Sequence, residues 1–133
     1  MAETREVEFI KEDILKLAGK RDWKNTKNLL LNLPAPDITE ILSVLNEEQM
    51  VVVFRLLPRQ LAADVFFELE SDHRETLLDR MSRETVKYLL ADLFPDERTE
   101  LFEELPGELT QKLINLLSPE DRRETLTLLG YPE

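Results

Sequence analysis

The sequence contains no cysteine, three glycines, nine aromatic residues (six Phe, two Tyr and one Trp) and no long apolar run. The absence of cysteine excludes disulfide bonds, thiolate metal sites and cysteine nucleophiles. The glycines stand apart at positions 19, 107 and 130, so no glycine-rich phosphate-binding loop is present. The longest apolar run, residues 50–54, is far shorter than the roughly 20 residues that span a bilayer. The chain is therefore not expected to cross a membrane by itself.

Candidate catalytic side chains also lack the partners that catalysis requires. His73 is the only histidine, which argues against a transition-metal site and favours an ordinary surface role. Ser71, Ser82 and Ser118 stand where helices are predicted to begin, so each is interpreted as an N-cap, and none has a histidine and carboxylate to activate it. The sequence predicts that the protein is not an enzyme.

Acidic residues outnumber basic ones by 28 to 17, which gives a net charge of −11. A field of this sign repels phosphate backbones and anionic lipids, and it attracts cations. Nucleic-acid binding and direct membrane binding are therefore disfavoured. Solubility is the simpler interpretation of the charge taken alone. Residues 1–8 have neither the basic nor the apolar region of a signal peptide.

A twelve-residue repeat organises the chain from residue 22 onwards. Each of the nine repeats opens with a proline or a capping residue. Each closes with two adjacent apolar residues, two spacers and a third apolar residue, except that Thr125 replaces the first apolar residue in the ninth. The triplets whose middle members are Leu42, Phe54, Phe66, Leu78, Leu90, Phe102 and Ile114 illustrate it. Positions i, i+1 and i+4 share one side of a helix, so every repeat predicts one short amphipathic helix. A longer first helix is predicted from Thr4 to about Lys20, and Gly130 is predicted to end the last helix.

Helices this short are marginal alone and must be stabilised by stacking against neighbours. The predicted fold is an all-α superhelical solenoid of about ten short helices, arranged as hairpins of about 24 residues in a single domain over residues 1–133.

The chain resembles the N-terminal cytosolic domain of MgtE magnesium transporters. The resemblance is carried by the run Leu56-Leu-Pro-Arg-Gln-Leu-Ala-Ala-Asp-Val-Phe66, the serial helix, Leu-Pro, helix pattern and the closing Leu128-Leu-Gly-Tyr-Pro-Glu133. It implies a regulatory module on the cytoplasmic side of a membrane transporter. In that family Mg²⁺ lies between acidic side chains of this domain and of CBS domains, and low Mg²⁺ lets the channel open. The resemblance also implies that the chain is a soluble piece of a longer, homodimeric protein, truncated before its CBS and transmembrane domains.

The resemblance places three acidic residues, Asp64, Asp96 and Glu100, near bound Mg²⁺. The residues themselves support part of this assignment, because Asp96, Glu100 and Glu104 lie four apart and stack like charges along one helix face. A cation or a basic partner would relieve that repulsion. The alternatives are that Asp96 merely serves the helix N-terminus and that Glu100 and Asp64 belong to solvated faces. Because one domain offers only half of each site, the chain alone is expected to bind Mg²⁺ weakly.

A second functional hypothesis is a helical solenoid that only binds proteins, such as a fragment of a flagellar switch protein of the FliG type, without metal sensing. Such a surface should carry clustered opposite charges, and that family's motifs are not evident here. The following part of the parent sequence would discriminate the two, since CBS repeats and an apolar membrane region belong only to the first.

Overall fold

The described part of the chain has an all-α fold, as predicted. A computed structural model describes the backbone of residues 2–130 and the side chains of residues 8–130. Within these residues it contains ten α-helices and no strand. The helices are α1 (Ala2–Gly19), α2 (Trp23–Leu30), α3 (Ala35–Val44), α4 (Glu47–Arg55), α5 (Arg59–Glu68), α6 (Ser71–Arg80), α7 (Arg83–Asp92), α8 (Pro95–Glu104), α9 (Gly107–Ile114) and α10 (Pro119–Leu128).

Side-chain caps explain where several helices begin. The carboxylate of Asp22 accepts a hydrogen bond from the third backbone N–H of α2, and Asn46, Ser82 and Ser118 do the same for α4, α7 and α10. The Asn46 bond is the shortest of these, 2.8 Å from the Gln49 N–H. Each bond satisfies one of the four backbone donors that a helix start leaves without a partner. These side-chain caps therefore explain why a new helix begins at these positions of the repeat.

The predicted N-cap at Ser71 is wrong. Glu70 is the N-cap of α6, and Ser71 is its first helical residue. The Ser71 hydroxyl instead donates a hydrogen bond of 3.3 Å to the carboxylate of Glu104. The Ser71 hydroxyl therefore bonds to a side chain of another helix and not to the backbone at the start of its own helix.

The chain folds as two compact units, and the prediction of one domain over residues 1–133 stays a prediction. The first unit, Met1–Leu69, contains α1 to α5. Here α3 packs most extensively against α5, and α1 and α2 also pack against α3 and α4, respectively. Packing of a helix against the next but one is the arrangement expected of successive helix hairpins. Phe54 and Phe66 meet edge to face in this core, with ring centroids 6.2 Å apart and planes inclined by 61°.

The second unit, Glu70–Glu133, contains α6 to α10, and in it α8 packs against α10. Gly130 follows the C-cap of α10 with φ of +85°, a conformation that glycine adopts without steric cost, so the predicted helix stop is confirmed. Tyr131, Pro132 and Glu133, on which the resemblance partly rests, lie outside the described residues.

The apolar triplets form the cores of both units. Each middle member named in the sequence analysis is at most 7% exposed, which confirms the predicted buried face. In the first eight triplets every residue is buried except Leu29 and Leu45, which are half-buried. The twelve-residue spacing therefore predicted the buried faces as well as the helices.

Candidate functional site

Asp96 and Glu100 lie on the exposed surface of α8, one helical turn apart. Pro95 starts the helix, and Glu97 fixes that start by accepting a hydrogen bond of 3.0 Å from the backbone N–H of Phe94. Asp96 is the second residue of the helix, so its negative charge also complements the helix dipole at this end. In the part of the chain that the structure describes, neither Asp96 nor Glu100 forms an ion pair.

Arg98, between these two carboxylates in sequence, points away from them into the second unit. Its side chain is only 2% exposed. Its Nε–H donates a hydrogen bond of 3.0 Å to Thr125 Oγ1 on α10, and Nη1 donates one of 3.2 Å to the carbonyl of Leu90. Nη1 also lies 3.7 Å from a carboxylate oxygen of Asp121.

The partner at Leu90 explains the inward direction of Arg98. Leu90 is in the last turn of α7, where backbone carbonyls have no partner inside the helix and the helix dipole favours a positive charge. A buried guanidinium that satisfies such a carbonyl and approaches a carboxylate is compensated inside the unit. Arg98 therefore does not neutralise the exposed acidic face of α8.

The predicted row of three unpaired acids on α8 is wrong at its third member. Glu104 forms an ion pair of 3.0 Å with Nη1 of Arg74, a residue that is itself buried. Its carboxylate also accepts the Ser71 hydrogen bond described above. The uncompensated acidic surface of α8 thus includes Asp96 and Glu100 but not Glu104.

Asp64 lies on α5 in the first unit and is exposed. One of its carboxylate oxygens accepts a hydrogen bond of 3.3 Å from Nε2 of Gln60, one turn earlier on the same helix. An amide donor leaves the negative charge of the carboxylate in place. Asp64 therefore remains available as a single oxygen ligand for a hard cation.

A further group of metal-ligating side chains, which was not predicted from the sequence, lies at the start of α6. Glu70, Asp72 and His73 each place one ligand atom within 4.8 Å of the others. Asp72 already accepts a hydrogen bond of 3.0 Å from the backbone N–H of His73, and Nδ1 of His73 is buried without a hydrogen-bond partner. A mixed nitrogen and oxygen donor set is not the all-oxygen set that Mg²⁺ prefers.

A fourth buried column in the twelve-residue repeat was not predicted from the sequence. The fourth residue of the repeating helices is buried from Thr26 to Thr110 at intervals of twelve. The column reads Thr26, Ile38, Met50, Ala62, Arg74, Val86, Arg98 and Thr110. Because the column mixes polar and apolar residues, a search for apolar positions does not find it. The arginines at 74, 98 and 122, spaced by 24 residues, do indicate a repeating position. In the second unit this column supplies Arg98, which is bonded inside the unit, and Arg74, which pairs with Glu104 of α8.

No helix among the described residues combines the length and the apolar character that crossing a bilayer would require.

Comparison with known proteins gives one family and a shared fold. The family model of the MgtE intracellular N domain matches residues 33–133. The cytosolic domain of the Mg²⁺ channel MgtE, solved in complex with ATP, is similar in structure with a TM-score of 0.81 at 23% identity over 92% of this chain. The soluble part of a magnesium transporter is similar with a TM-score of 0.80 at 22% identity over 96% of this chain.

The chain spans about half the length of these two solved chains, 51% and 50% respectively. At this level of identity the two structures establish a common fold. No curated protein matches the chain in sequence.

Proposed function

The chain belongs to the MgtE intracellular N domain family, and we propose that it is the Mg²⁺-responsive regulatory domain of a magnesium transporter. The observation that carries the proposal is the exposed pair Asp96 and Glu100, neither of which forms an ion pair among the described residues, while Arg98 between them is buried and bonded inside the unit. The family match favours this function over the flagellar-switch alternative.

The chemistry of the α8 pair suits Mg²⁺. Two carboxylates one turn apart on a helix repel each other by about 0.2–0.5 kcal/mol, and a bound cation would remove that repulsion. Mg²⁺ takes oxygen ligands at about 2.0–2.1 Å, keeps several waters and often uses one or two carboxylates per ion. Asp96 and Glu100 would hold one such ion, and Asp64 would contribute to another.

A regulatory role requires that the ion bind one state of the parent protein more tightly than another. We infer that Asp64, Asp96 and Glu100 supply half of each site and that acidic residues of CBS domains in the same parent supply the rest. Binding would then favour the compact arrangement, and loss of Mg²⁺ would release it. The parent is proposed to be a homodimer, with this domain on the cytoplasmic side of the membrane.

The solved neighbours support the transport context, since they are described as a Mg²⁺ channel and a magnesium transporter. The matched family is an intracellular domain family, which agrees with a domain that acts beside the membrane part of a transporter. That the chain is not an enzyme stays a prediction.

Replacing Asp96 by Asn in the full-length protein tests the proposal. The substitution keeps the shape and removes the charge, so the Mg²⁺ concentration needed for half-maximal protection from limited proteolysis should rise several-fold. Glu84→Gln is the matched control, because Glu84 is the second residue of α7 as Asp96 is the second residue of α8, and both are exposed. Each change loses the same helix-dipole interaction.

The result that would contradict the assignment is an identical Mg²⁺ dependence for Asp96→Asn and Glu84→Gln. The proposal for the surface as a whole would fail if the triple variant Asp64→Asn, Asp96→Asn, Glu100→Gln still gave the wild-type Mg²⁺ dependence with an unchanged helical circular dichroism spectrum.

A further inference from the structure

The basic residues are concentrated in one short segment. Residues 16–27, Lys-Leu-Ala-Gly-Lys-Arg-Asp-Trp-Lys-Asn-Thr-Lys, hold five of the 17 basic residues and one of the 28 acidic ones. This segment, the polybasic turn, has a net charge of +4, so the other 121 residues carry 12 basic and 27 acidic residues and a net charge of −15. The charges are therefore unevenly distributed along the chain, with one basic segment in an otherwise strongly acidic sequence.

The fold presents these charges to solvent. The polybasic turn comprises the end of α1, the connection and the first five residues of α2. Lys16, Lys20, Lys24 and Lys27 are exposed, and the structure gives none of the four an ion pair among the described residues. Arg21 is also exposed, with a side-chain exposure of 76%, and its Nη2 lies 3.6 Å from the equally exposed carboxylate of Glu48. Such an exposed pair contributes little and is easily exchanged.

Arg21 occupies a position that normally favours glycine. The backbone N–H groups of Asp22 and Arg21 bond to the carbonyls of Leu17 and Ala18 at 2.9 and 3.1 Å, which is the Schellman pattern at a helix end. Arg21 is the left-handed residue of that pattern, with φ of +59°. A side chain with a Cβ is disfavoured there, so the sequence keeps a positive charge at a steric cost.

Lys24 breaks a second local rule. It lies in the first turn of α2, where the helix dipole disfavours a positive charge, and that turn contains no acidic residue. The first turn of α10, by contrast, contains Glu120 and Asp121. Local rules broken repeatedly in one segment are typical of a functional site, because another requirement has overridden stability.

We propose that the polybasic turn binds the anionic headgroup surface of a membrane. Lys and Arg side chains at such a surface strengthen binding by about fivefold each. Trp23, half-buried within the turn, and the exposed apolar side chains of Leu15 and Leu31 (38% and 48%) flank the charges with groups suited to the interface.

The proposal goes beyond Mg²⁺ sensing and depends on the proposed function only for the nearness of a membrane. The polybasic turn precedes residue 33, where the match to the family model begins. The net charge of −11 disfavours binding to anionic lipid only if the charge is spread evenly over the surface, and here it is not. The Debye length is only about 8 Å at physiological ionic strength, so acidic residues beyond that distance are largely screened from a bound lipid surface.

Co-sedimentation of the 133-residue chain with vesicles provides the test. The chain should bind phosphatidylcholine vesicles that contain phosphatidylserine, should not bind pure phosphatidylcholine vesicles, and should be released by high salt. Replacing Lys16, Lys20, Lys24 and Lys27 together by Gln should weaken binding at least a hundredfold. Gln has a helix propensity similar to that of Lys, so circular dichroism should be unchanged.

The matched control makes the same change of charge elsewhere. Arg83, Lys87, Lys112 and Arg123 are exposed and without an ion pair among the described residues, and their joint replacement by Gln should weaken binding less than about fivefold. Equal losses in the two quadruple variants would show that only net charge matters, and would overturn the proposal.

Arg21→Gly separates binding from folding. It removes one charge and the strained backbone conformation together, so it should bind anionic vesicles about fivefold more weakly while melting at the same or a higher temperature. Failure of the wild-type chain to bind anionic vesicles at low salt would overturn the proposal. Binding to poly-glutamate in place of vesicles would reassign the polybasic turn to an acidic protein partner.

Discussion

Arg98 and Thr125 are joined by a hydrogen bond of 3.0 Å between Nε and Oγ1, which connects α8 to α10 inside the second unit. The same guanidinium also satisfies the carbonyl of Leu90 near the end of α7, so one side chain links three helices. Its charge is compensated by these internal partners and by Asp121. The exposed face of α8 consequently keeps its negative charge, which is the property on which the proposed Mg²⁺ response depends.

Arg98→Met should destabilise the protein by about 2–4 kcal/mol, because it preserves most of the volume but leaves buried polar groups without their donor. Urea unfolding followed by circular dichroism measures the change. Arg123→Met, on the exposed face of α10, should cost no more than about 0.5 kcal/mol. Equal stability of the two variants would mean that the buried guanidinium contributes nothing.

Phe66→Ala should cost about 3–5 kcal/mol through lost burial and the cavity left beside Phe54. Phe94→Ala is the comparison, since Phe94 is 64% exposed. Its contribution to the start of α8 is the backbone N–H that donates to Glu97, which the substitution keeps. Chemical denaturation of both variants should show a large loss for the first and less than about 1 kcal/mol for the second. Similar losses would show that burial does not determine the contribution of these rings.

Lys11 should make stability depend on alkaline pH. Its ammonium lies 2.8 Å from Glu40 and 3.4 Å from Glu8, and its pKa is raised above 10.5, chiefly by the hydrogen bond to Glu40. When the pKa of a lysine is higher in the folded than in the unfolded state, its charge stabilises the fold. This stabilisation is complete at pH values below the unfolded-state pKa and is lost as the pH rises through the folded-state pKa.

The free energies of unfolding of wild type and Lys11→Gln should therefore differ by up to about 1 kcal/mol near neutral pH, and the two values should converge above pH 10.5. Lys87→Gln, which removes an exposed lysine that has no ion pair among the described residues, should show no such convergence. Urea unfolding across this pH range measures both differences. A difference between wild type and Lys11→Gln that does not change between neutral and strongly alkaline pH would contradict the assignment.

Mg²⁺ should stabilise the isolated chain only slightly more than Na⁺ at equal ionic strength. Added salt relieves the self-repulsion of a net charge of −11, and a divalent ion gains further from adjacent carboxylates. We expect the melting temperature in MgCl₂ to exceed that in NaCl by roughly 1–4 °C, and the excess to shrink in Asp96→Asn. Superimposable melting curves in the two salts would reduce the acidic surface to a determinant of solubility.

The predicted α8 site was only partly accessible from the sequence. The i, i+4 spacing placed Asp96 and Glu100 on one exposed face, because helix geometry alone fixes that relationship. Glu104 continued the same spacing, yet Arg74 pairs with it from another helix. Whether a carboxylate is compensated depends on contacts between helices, which spacing along one helix does not contain.

The sequence by itself determined the helices, most of their starts and their buried faces, because a twelve-residue repeat of apolar triplets and capping residues acts through local geometry and burial. Tertiary structure alone decided which partners the polar side chains contact. Arg98 satisfies a carbonyl of α7 and Ser71 bonds to Glu104, although local pattern gave no sign of the first contact and assigned Ser71 to a cap. An arginine or serine has several partners within reach, and the packing of neighbouring helices determines which of them is available to it.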